Sequence, residues 1–289
     1  MGDVVDFKNR VEIAFGLLKK EPANSFPGQS ALSNALESHI PAGKTSSAVH
    51  VKSDVAVLFT TAAIELWMRA IHSFLISAAL TETSPIWASV SGYYSSHYTI
   101  RAYAHLLGYF QLFTRKKVVH LIIDKNGKFS CDILEKSKHN REHEFYWRIV
   151  KAEEPFKSDD LFTKNLRAEG ASDCRHREIA NYADHLKQFI PPSFNPLTAD
   201  RLQARLDRLS KIDATVPEIP RAERFPDVDR VQLVAYQRLV HFRQTVDRHV
   251  DLKKNRFWER NRAPQWATNW INFQLPERRN IVSEMGQQI

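Results

Sequence analysis

The sequence predicts a mainly α-helical fold: a helical bundle with one inserted β-hairpin at about residues 117–134 and a helical C-terminal extension. Apolar residues recur at helical spacing over most of the 289-residue chain. The period changes to a β-type pattern in a single stretch, and Asn126-Gly127 lies in the middle of it. With 43% hydrophobic residues, a chain of this length buries a sizeable core.

The N-terminal part of the chain predicts two long helices and one loop. Helical spacing indicates a first helix over 4–20, which Pro22 ends because proline cannot continue a helix. The stretch 21–54 is rich in Ser, Pro and Gly, which indicates a loop with a short helix at 30–38. Asp54 is a suitable N-cap for the long apolar helix that runs to Leu80.

A Tyr-rich helix follows, from Ser84-Pro85 to Phe113. A capping serine followed by proline in the first turn is a typical helix start. Gly92 weakens a helix by about 1 kcal/mol relative to alanine, so we expect a packing reason for it. The small residues of this helix predict close approach of a neighbour, either the 54–80 helix or the 172–190 helix.

The remaining elements are one hairpin and several helices. Residues 117–124 form a β-branched run, 128–134 alternate, and Asn126-Gly127 between them is a strong hairpin signal. After the hairpin, residues 138–151 are expected to form a helix or an irregular segment. Helical patterns follow at 159–168, 172–190, 198–212 and 229–258, and Asp229 is a suitable cap for the last of them. A Pro-rich linker is predicted at 216–227. The corresponding domains are 1–53, 54–213, 214–228 and 229–289.

Charge and composition indicate the class of partner and the compartment. The net charge is +8, of which residues 201–289 contribute +6, and this asymmetry fits a polyanion such as RNA, or else a solvated basic face. Cys131 and Cys174 are far apart and in no CxxC pattern, which argues against a disulfide framework and a zinc site and suits a reducing cytoplasm.

No membrane segment and no cofactor site is predicted. The most apolar stretch, 55–80, contains Glu65, Arg69 and His72, which indicates a buried core helix instead of a membrane span. The N-terminus carries acidic residues and lacks the apolar run of a signal peptide. Nucleotide-binding glycine loops and HExxH motifs are absent from the sequence, so we expect no cofactor.

The most specific pattern combines the Tyr-rich segment 91–108, the hairpin and a later helix that carries Arg175 and Tyr182. This combination resembles the HEPN superfamily, the small helical domains of prokaryotic toxin and antiphage defence systems. The resemblance covers about residues 54–190. It implies a helical bundle, a homodimer paired across the late helix, and action on RNA.

The resemblance also implies a metal-independent endoribonuclease site, from which this sequence departs. In active members an Arg-x4-His-x-Tyr motif cleaves RNA: the arginine stabilises phosphate charge and the histidine moves protons. Arg175 and Tyr182 match the outer positions, but Ala180 stands at the histidine position. His185 keeps the residue type but points about 140° away round the helix. Arg175 and Tyr182 are also typical residues at the ends of an inward helical stripe.

A second candidate site lies on the Tyr-rich helix. His97, Arg101 and His105 are spaced at i, i+4 and i+8, so they share one helix face. Such a face is suited to gripping a phosphate or to acid–base steps, and it is equally typical of a polar seam at a bundle edge. Arg101 between the histidines and the absence of a nearby carboxylate in sequence argue against a metal.

The C-terminal stretch mixes cations with aromatic residues, the materials of single-strand binding and also of a tail that docks on its own core. Its candidate nucleic-acid-binding residues are Arg256, Trp258, Arg260, Arg262, Arg278 and Arg279. The sequence therefore predicts a HEPN-like defence or toxin-type protein that acts on or binds RNA. The alternative is a non-catalytic nucleic-acid- or protein-binding subunit of a larger defence complex. A protein partner encoded in the same operon is also expected.

Overall fold

The computed structural model describes residues 5–18, 28–40, 49–112, 117–135, 142–163, 199–211, 228–251 and 253–262. Within them the fold is mainly helical with a small four-stranded antiparallel sheet, which confirms the predicted fold class. The helices are α1 (Phe7–Leu18), α2 (Gln29–His39), α3 (Ser53–Leu80), α4 (Pro85–Leu106), α5 (Glu142–Ala152), α6 (Asp160–Thr163), α7 (Ala199–Ser210), α8 (Val228–His249) and α9 (Arg256–Asn261). The strands are β1 (Val49–Val51), β2 (Tyr109–Leu112), β3 (Lys117–Ile123) and β4 (Phe129–Glu135).

Most predicted elements are present where the structure describes them. The predicted helices at 4–20, 30–38, 54–80 and 198–212 correspond to α1, α2, α3 and α7, and the segment at 138–151, expected to be helical or irregular, contains α5. Of the predicted helix at 159–168, the structure describes residues up to Thr163, where α6 lies. The predicted helix at 172–190 and the linker at 216–227 lie outside the described residues.

The described residues group into two compact units. Unit 1 draws its residues from Met1–Trp67, Ile100–Lys157 and Thr245–Asn261. Unit 2 draws its residues from Met68–Thr99, Ser158–Gln244 and Arg262–Ile289. The divisions fall inside α3, α4 and α8, so neither unit is one continuous segment of chain. The predicted boundaries at 53/54, 213/214 and 228/229 stay predictions.

The sheet of unit 1 has the strand order β1-β4-β3-β2, with every neighbouring pair antiparallel. Alternate side chains of each strand point to one face, because strand residues alternate between the two sides of a sheet. That face packs against α2 and the first half of α3. The buried cluster consists of Leu32, Leu36, Ile40, Val55, Ala56, Phe59, Ala62, Phe110, Leu112, Val119, Leu121, Cys131 and Ile133.

The predicted hairpin is β3 and β4 joined by a three-residue loop. Asp124 and Lys128 pair at its base, and Gly127 adopts a positive φ of 72°. The carboxylate of Asp124 accepts hydrogen bonds from the amides of Asn126 and Lys128, both at 2.8 Å. Three-residue hairpin loops commonly place a glycine in the left-handed region. The Asn-Gly pair therefore predicted the turn correctly.

Two strands were not predicted. The Tyr-rich helix was expected to run to Phe113, but α4 ends at Leu106 and β2 begins at Tyr109. Gly108 has a φ of +89° and its amide bonds the carbonyl of His105 at 2.9 Å, a glycine-based helix end. Strand β1 lies in the stretch expected to be loop, where it pairs with β4. Both strands are short, and pairing in space defines them more than local sequence.

We expect Gly108→Ala to destabilise the protein by about 2–3 kcal/mol. A Cβ at this position would overlap the Arg10 guanidinium and lie 2.5 Å from the backbone carbonyl oxygen of Leu121. The left-handed backbone adds its own strain for any residue with a side chain. Urea unfolding measures the loss. Gly127→Ala is the matched control: its φ is also positive, but no atom lies within 4 Å of the added carbon. Equal effects of the two variants would contradict the proposed clash.

Unit 2 confirms the expected packing around Gly92. A Cβ on Gly92 would lie 2.8 Å from Val231 Cγ1 of α8 and 3.1 Å from Ser77 Oγ of α3. Close approach of α3 was predicted, whereas that of α8 was not. The predicted inward residues of the two later helices are buried: Leu202, Leu206 and Leu209 in α7, Val231, Ala235, Leu239, Phe242 and Val246 in α8, and Val250 directly after α8.

A buried polar network crosses the interior of unit 2. Gln232 donates to Ser77 Oγ at 2.8 Å and to Thr81 Oγ1 at 2.9 Å. Its carbonyl oxygen accepts a hydrogen bond from Nε of Arg205 at 2.5 Å. Arg205 also forms an ion pair with Asp229. Because each member has a partner, the network fixes α7 and α8 in one arrangement instead of leaving unsatisfied groups.

The predicted helix at 229–258 is wrong in its extent. Helix α8 ends at His249 and α9 begins at Arg256. Asn255 causes the restart: its carboxamide oxygen accepts a hydrogen bond from the amide of Trp258 at 3.0 Å, which is N-cap geometry. The predicted caps Asp54 and Asp229 instead lie in the first turns of α3 and α8.

Helix α3 is long and apolar enough to cross a membrane, with a mean hydropathy of 1.3 over its most apolar window. However, 72% of that window is buried inside the protein. It is the one such helix among the described residues. Its burial is that of a core helix, in agreement with the sequence-based interpretation.

Candidate functional site

The residues of the predicted ribonuclease motif lie outside the part of the chain that the structure describes. This holds for Arg175, Tyr182 and His185, and also for Arg278 and Arg279. Their roles stay predictions. The candidate residues on α4 and α9 are described, apart from the side chain of Arg260.

The candidate site on α4, formed by His97, Arg101 and His105, is divided between the two units. His97 belongs to unit 2, where it is buried and its ring stacks on that of Tyr93, with centroids 6.1 Å apart and an interplanar angle of 8°. Arg101 and His105 belong to unit 1. His97 and His105 are 2% and 1% exposed, so neither imidazole is presented to solvent.

In unit 1, Arg101 and His105 meet on one oxygen atom of Gln29. The carboxamide oxygen of Gln29 accepts hydrogen bonds from Arg101 Nη2 at 3.3 Å and His105 Nε2 at 3.2 Å. Gln29 Nε2 donates to the backbone carbonyl of Ala62 at 3.2 Å, and its own amide donates to Glu65 Oε2 at 2.6 Å. We call this cluster of Gln29, Glu65, Arg101 and His105 the Gln29 cluster.

The cluster depends on how α2 begins. Its N-cap residue is Gly28, which has no side chain with which to cap the helix. The carboxylate of Glu65 reaches across from α3 and accepts the bond from the first helical amide, where negative charge is favourable. A Cβ on Gly28 would overlap that carboxylate. Gly28 thus makes space for a cap supplied from another helix.

Burial sets the protonation of the cluster. Desolvation, followed by the positive charge of Arg101, holds the pKa of His105 well below its usual 6.5. The Arg101 guanidinium lies 5.1 Å from the ring centroid of Tyr146, a cation–π contact. At neutral pH the cluster therefore holds a fixed cation beside a neutral imidazole. This arrangement favours positioning over proton transfer to an external substrate.

A second titratable cluster lies where β2 and β3 meet. The rings of Tyr109 and His120 stack at 4.0 Å with an interplanar angle of 1°. Burial, followed by the charge of Arg10, lowers the pKa of His120 to about 4. Burial, followed by the charge of Glu153, raises the pKa of Tyr109 to about 12. Arg10 itself is buried and donates to the carbonyl of Leu121 at 2.7 Å.

Among the described residues, no group of three or more His, Cys, Asp or Glu side chains is close enough to hold a metal ion. Cys131 is a buried free thiol, and burial raises its pKa to about 12. It is therefore a core side chain and not a nucleophile.

Trp258, predicted as a nucleic-acid-binding residue, is instead part of the core of unit 1. It is fully buried, and its ring contacts those of Phe15 and Trp67 at 5.6 and 5.4 Å. Its Nε1 donates to Asp247 Oδ1 at 2.7 Å. A ring held this way cannot stack on a base, so the alternative use, docking on the core, is correct for this residue. Arg256 is exposed and Arg262 is partly exposed.

Among its described residues, unit 2 presents an exposed aromatic surface on α4. Trp87 is 59% exposed, and Tyr94 and Tyr98 are partly exposed on the same helix face. The rings of Tyr94 and Tyr98 are 6.0 Å apart and tilted by 32°. We call Trp87, Tyr94 and Tyr98 the aromatic face. The sequence singled out the Tyr-rich helix but not which of its aromatic residues are exposed.

No protein-family model, curated protein or solved structure matches this chain.

Proposed function

We propose that this chain is a HEPN-like protein of a prokaryotic defence or toxin-type system, and that it binds RNA without cleaving it. The observation that carries RNA binding is the charge distribution, with +6 of the net +8 in residues 201–289. Lysine and arginine side chains bind the RNA backbone by displacing counterions from its phosphates. The exposed Arg256 is one described residue of this basic segment.

The proposal that RNA is bound but not cleaved rests on the positions of the histidines. Ala180 occupies the position of the catalytic histidine in the family motif, and alanine cannot transfer a proton. His185 keeps the residue type of the catalytic histidine but not its position in the motif. His97 and His105, the other candidate proton-transfer residues, are buried in the described fold. A general acid or base has to come within hydrogen-bond reach of the substrate atom, which buried imidazoles do not do.

The resemblance also supports a homodimer, a partner encoded in the same operon and a cytoplasmic location. Cys131 is a buried free cysteine, which fits a reducing compartment. Light scattering on the purified protein tests the dimer, and co-purification from the native host tests the partner.

The proposed function predicts binding that falls steeply with salt and no cleavage. Labelled single-stranded RNA is incubated with the wild-type chain in the presence of a chelator, beside Arg175→Ala. We expect negligible cleavage by both proteins, and an affinity that falls at least about tenfold between 50 and 200 mM salt. Cleavage by the wild type that Arg175→Ala abolishes would establish the endoribonuclease instead.

A charge variant tests the basic segment directly. Arg256→Ala is expected to lower the slope of log affinity against log salt by about one, as for the loss of one phosphate contact. Lys125→Ala is the matched control, because Lys125 is an exposed cation in the hairpin loop, outside that segment. Affinity that does not change with salt for the wild type would refute RNA binding through phosphates.

A further inference from the structure

The aromatic face of α4 has the geometry of a surface that stacks planar rings. Trp87, Tyr94 and Tyr98 are spaced at i, i+7 and i+11, so they line one side of the helix. Trp87 and Tyr94 are separated by about 10 Å along the helix axis, at about 1.5 Å per residue. Ser91 lies between them on the same side and is partly exposed, so its small side chain leaves room for an inserted ring.

The positions of the two tyrosine rings are fixed from beneath. The ring of His97 contacts that of Tyr94 at 6.5 Å and that of Tyr98 at 6.0 Å. His97 in turn stacks on the fully buried ring of Tyr93. An exposed ring that is held in place by a buried layer loses little conformational entropy when it binds a ligand. The two tyrosine rings of the aromatic face are therefore held in place before any ligand arrives.

The charge of the helix fits a polyanion. Helix α4 has 22 residues and contains no Asp or Glu, so no carboxylate on it repels a phosphate. Glu82, which precedes the helix, forms an ion pair with Arg201 at 3.5 Å. RNA brings the charge that complements the net charge of +8 on the chain.

We propose that the aromatic face of α4 is a stacking platform for the bases of single-stranded RNA. The proposal rests on the RNA binding proposed above and gives it a location in unit 2. Stacking on aromatic side chains tolerates any base, because every base has a π-face. The platform therefore gives affinity for unpaired RNA with little sequence preference.

The test is the affinity of a labelled twelve-nucleotide uridine RNA for wild type, Trp87→Ala and Tyr94→Ala, measured by fluorescence anisotropy. We expect each alanine variant to bind about tenfold more weakly, with an unchanged salt dependence because no phosphate contact is lost. Tyr94→Phe keeps the ring and is expected to bind like the wild type. RNA duplex of the same length, in which the bases are already stacked, should not distinguish the variants.

Leu134→Ala is the matched control, since Leu134 is the other large hydrophobic side chain that is exposed among the described residues. Because Trp87 is exposed, the Trp87→Ala variant is expected to fold. It therefore provides the test even if the Tyr94→Ala variant does not fold. Equal uridine binding by wild type and Trp87→Ala would overturn the platform while leaving the proposed function intact. Failure of the wild type to bind would refute the proposed function itself. A loss of self-association in Trp87→Ala with unchanged RNA affinity would assign the face to a second copy and overturn the proposal.

Discussion

Lowering the pH from 7 to 5 is expected to reduce the free energy of unfolding by about 2 kcal/mol through His120 alone, before most carboxylates titrate, and His105 adds to this loss. His105 and His120 both have a lowered pKa in the folded protein, that of His120 to about 4. In the unfolded chain each histidine takes up a proton near pH 6.5. Their contribution to stability is therefore complete above pH 6.5. It is lost as the pH falls below that value, because only the unfolded state binds the protons.

Urea unfolding at closely spaced pH values measures this loss, with the slope against pH reporting the number of protons taken up. His120→Gln is expected to lower the slope, since it removes one of the histidines whose pKa the fold lowers. His50→Gln is the matched control, because His50 is exposed on β1. If the wild-type stability is flat between pH 7 and pH 5, His105 and His120 are not held neutral by burial.

Trp258→Ala is expected to destabilise the protein by about 3–5 kcal/mol, the usual range for truncating a buried tryptophan. The substitution would remove the ring contacts with Phe15 and Trp67 and leave a cavity in unit 1. It would also leave Asp247 without the indole hydrogen bond. Thermal or urea unfolding provides the measurement.

Two further variants separate the causes. Trp258→Phe keeps most of the volume but not the hydrogen bond, so we expect a loss of about 1–2 kcal/mol. Trp87→Ala, at an exposed tryptophan, is expected to change the free energy of unfolding by less than about 0.5 kcal/mol. A Trp258→Ala variant as stable as Trp87→Ala would mean that Trp258 is not a core residue.

The sequence predicts those parts of the fold whose signals are local. The hairpin follows from Asn126-Gly127 between two β-type runs, and α3 follows from an uninterrupted apolar run. Strand β2 was missed because the helical pattern continues past Gly108, and only the backbone conformation of that glycine ends the helix. Strand β1 has three residues, too few for a period to be read, and its pairing with β4 defines it.

The candidate site shows the same limit. Spacing alone placed Arg101 and His105 on one face of a helix, and the structure joins them through Gln29. Gln29 and Glu65 belong to different helices and have no motif of their own, so no sequence pattern connects them. Trp258 shows the converse case: its basic, aromatic neighbourhood in sequence suggested a ligand, whereas its surroundings in space make it a core residue.

The order of strands in the sheet bears on how the protein behaves at high concentration. The most apolar strand, β3, is an interior strand, and the short strands β1 and β2 are the outer ones. Strand β3 extends beyond Tyr109, the first residue of β2. There the amide of Val5 donates to the carbonyl oxygen of Ile123, so this backbone group of β3 also has a partner. An apolar strand with open backbone groups is a template for aggregation between chains. Here the segment with the greatest tendency to aggregate is enclosed by its own sheet, and the two outer strands have only three and four residues.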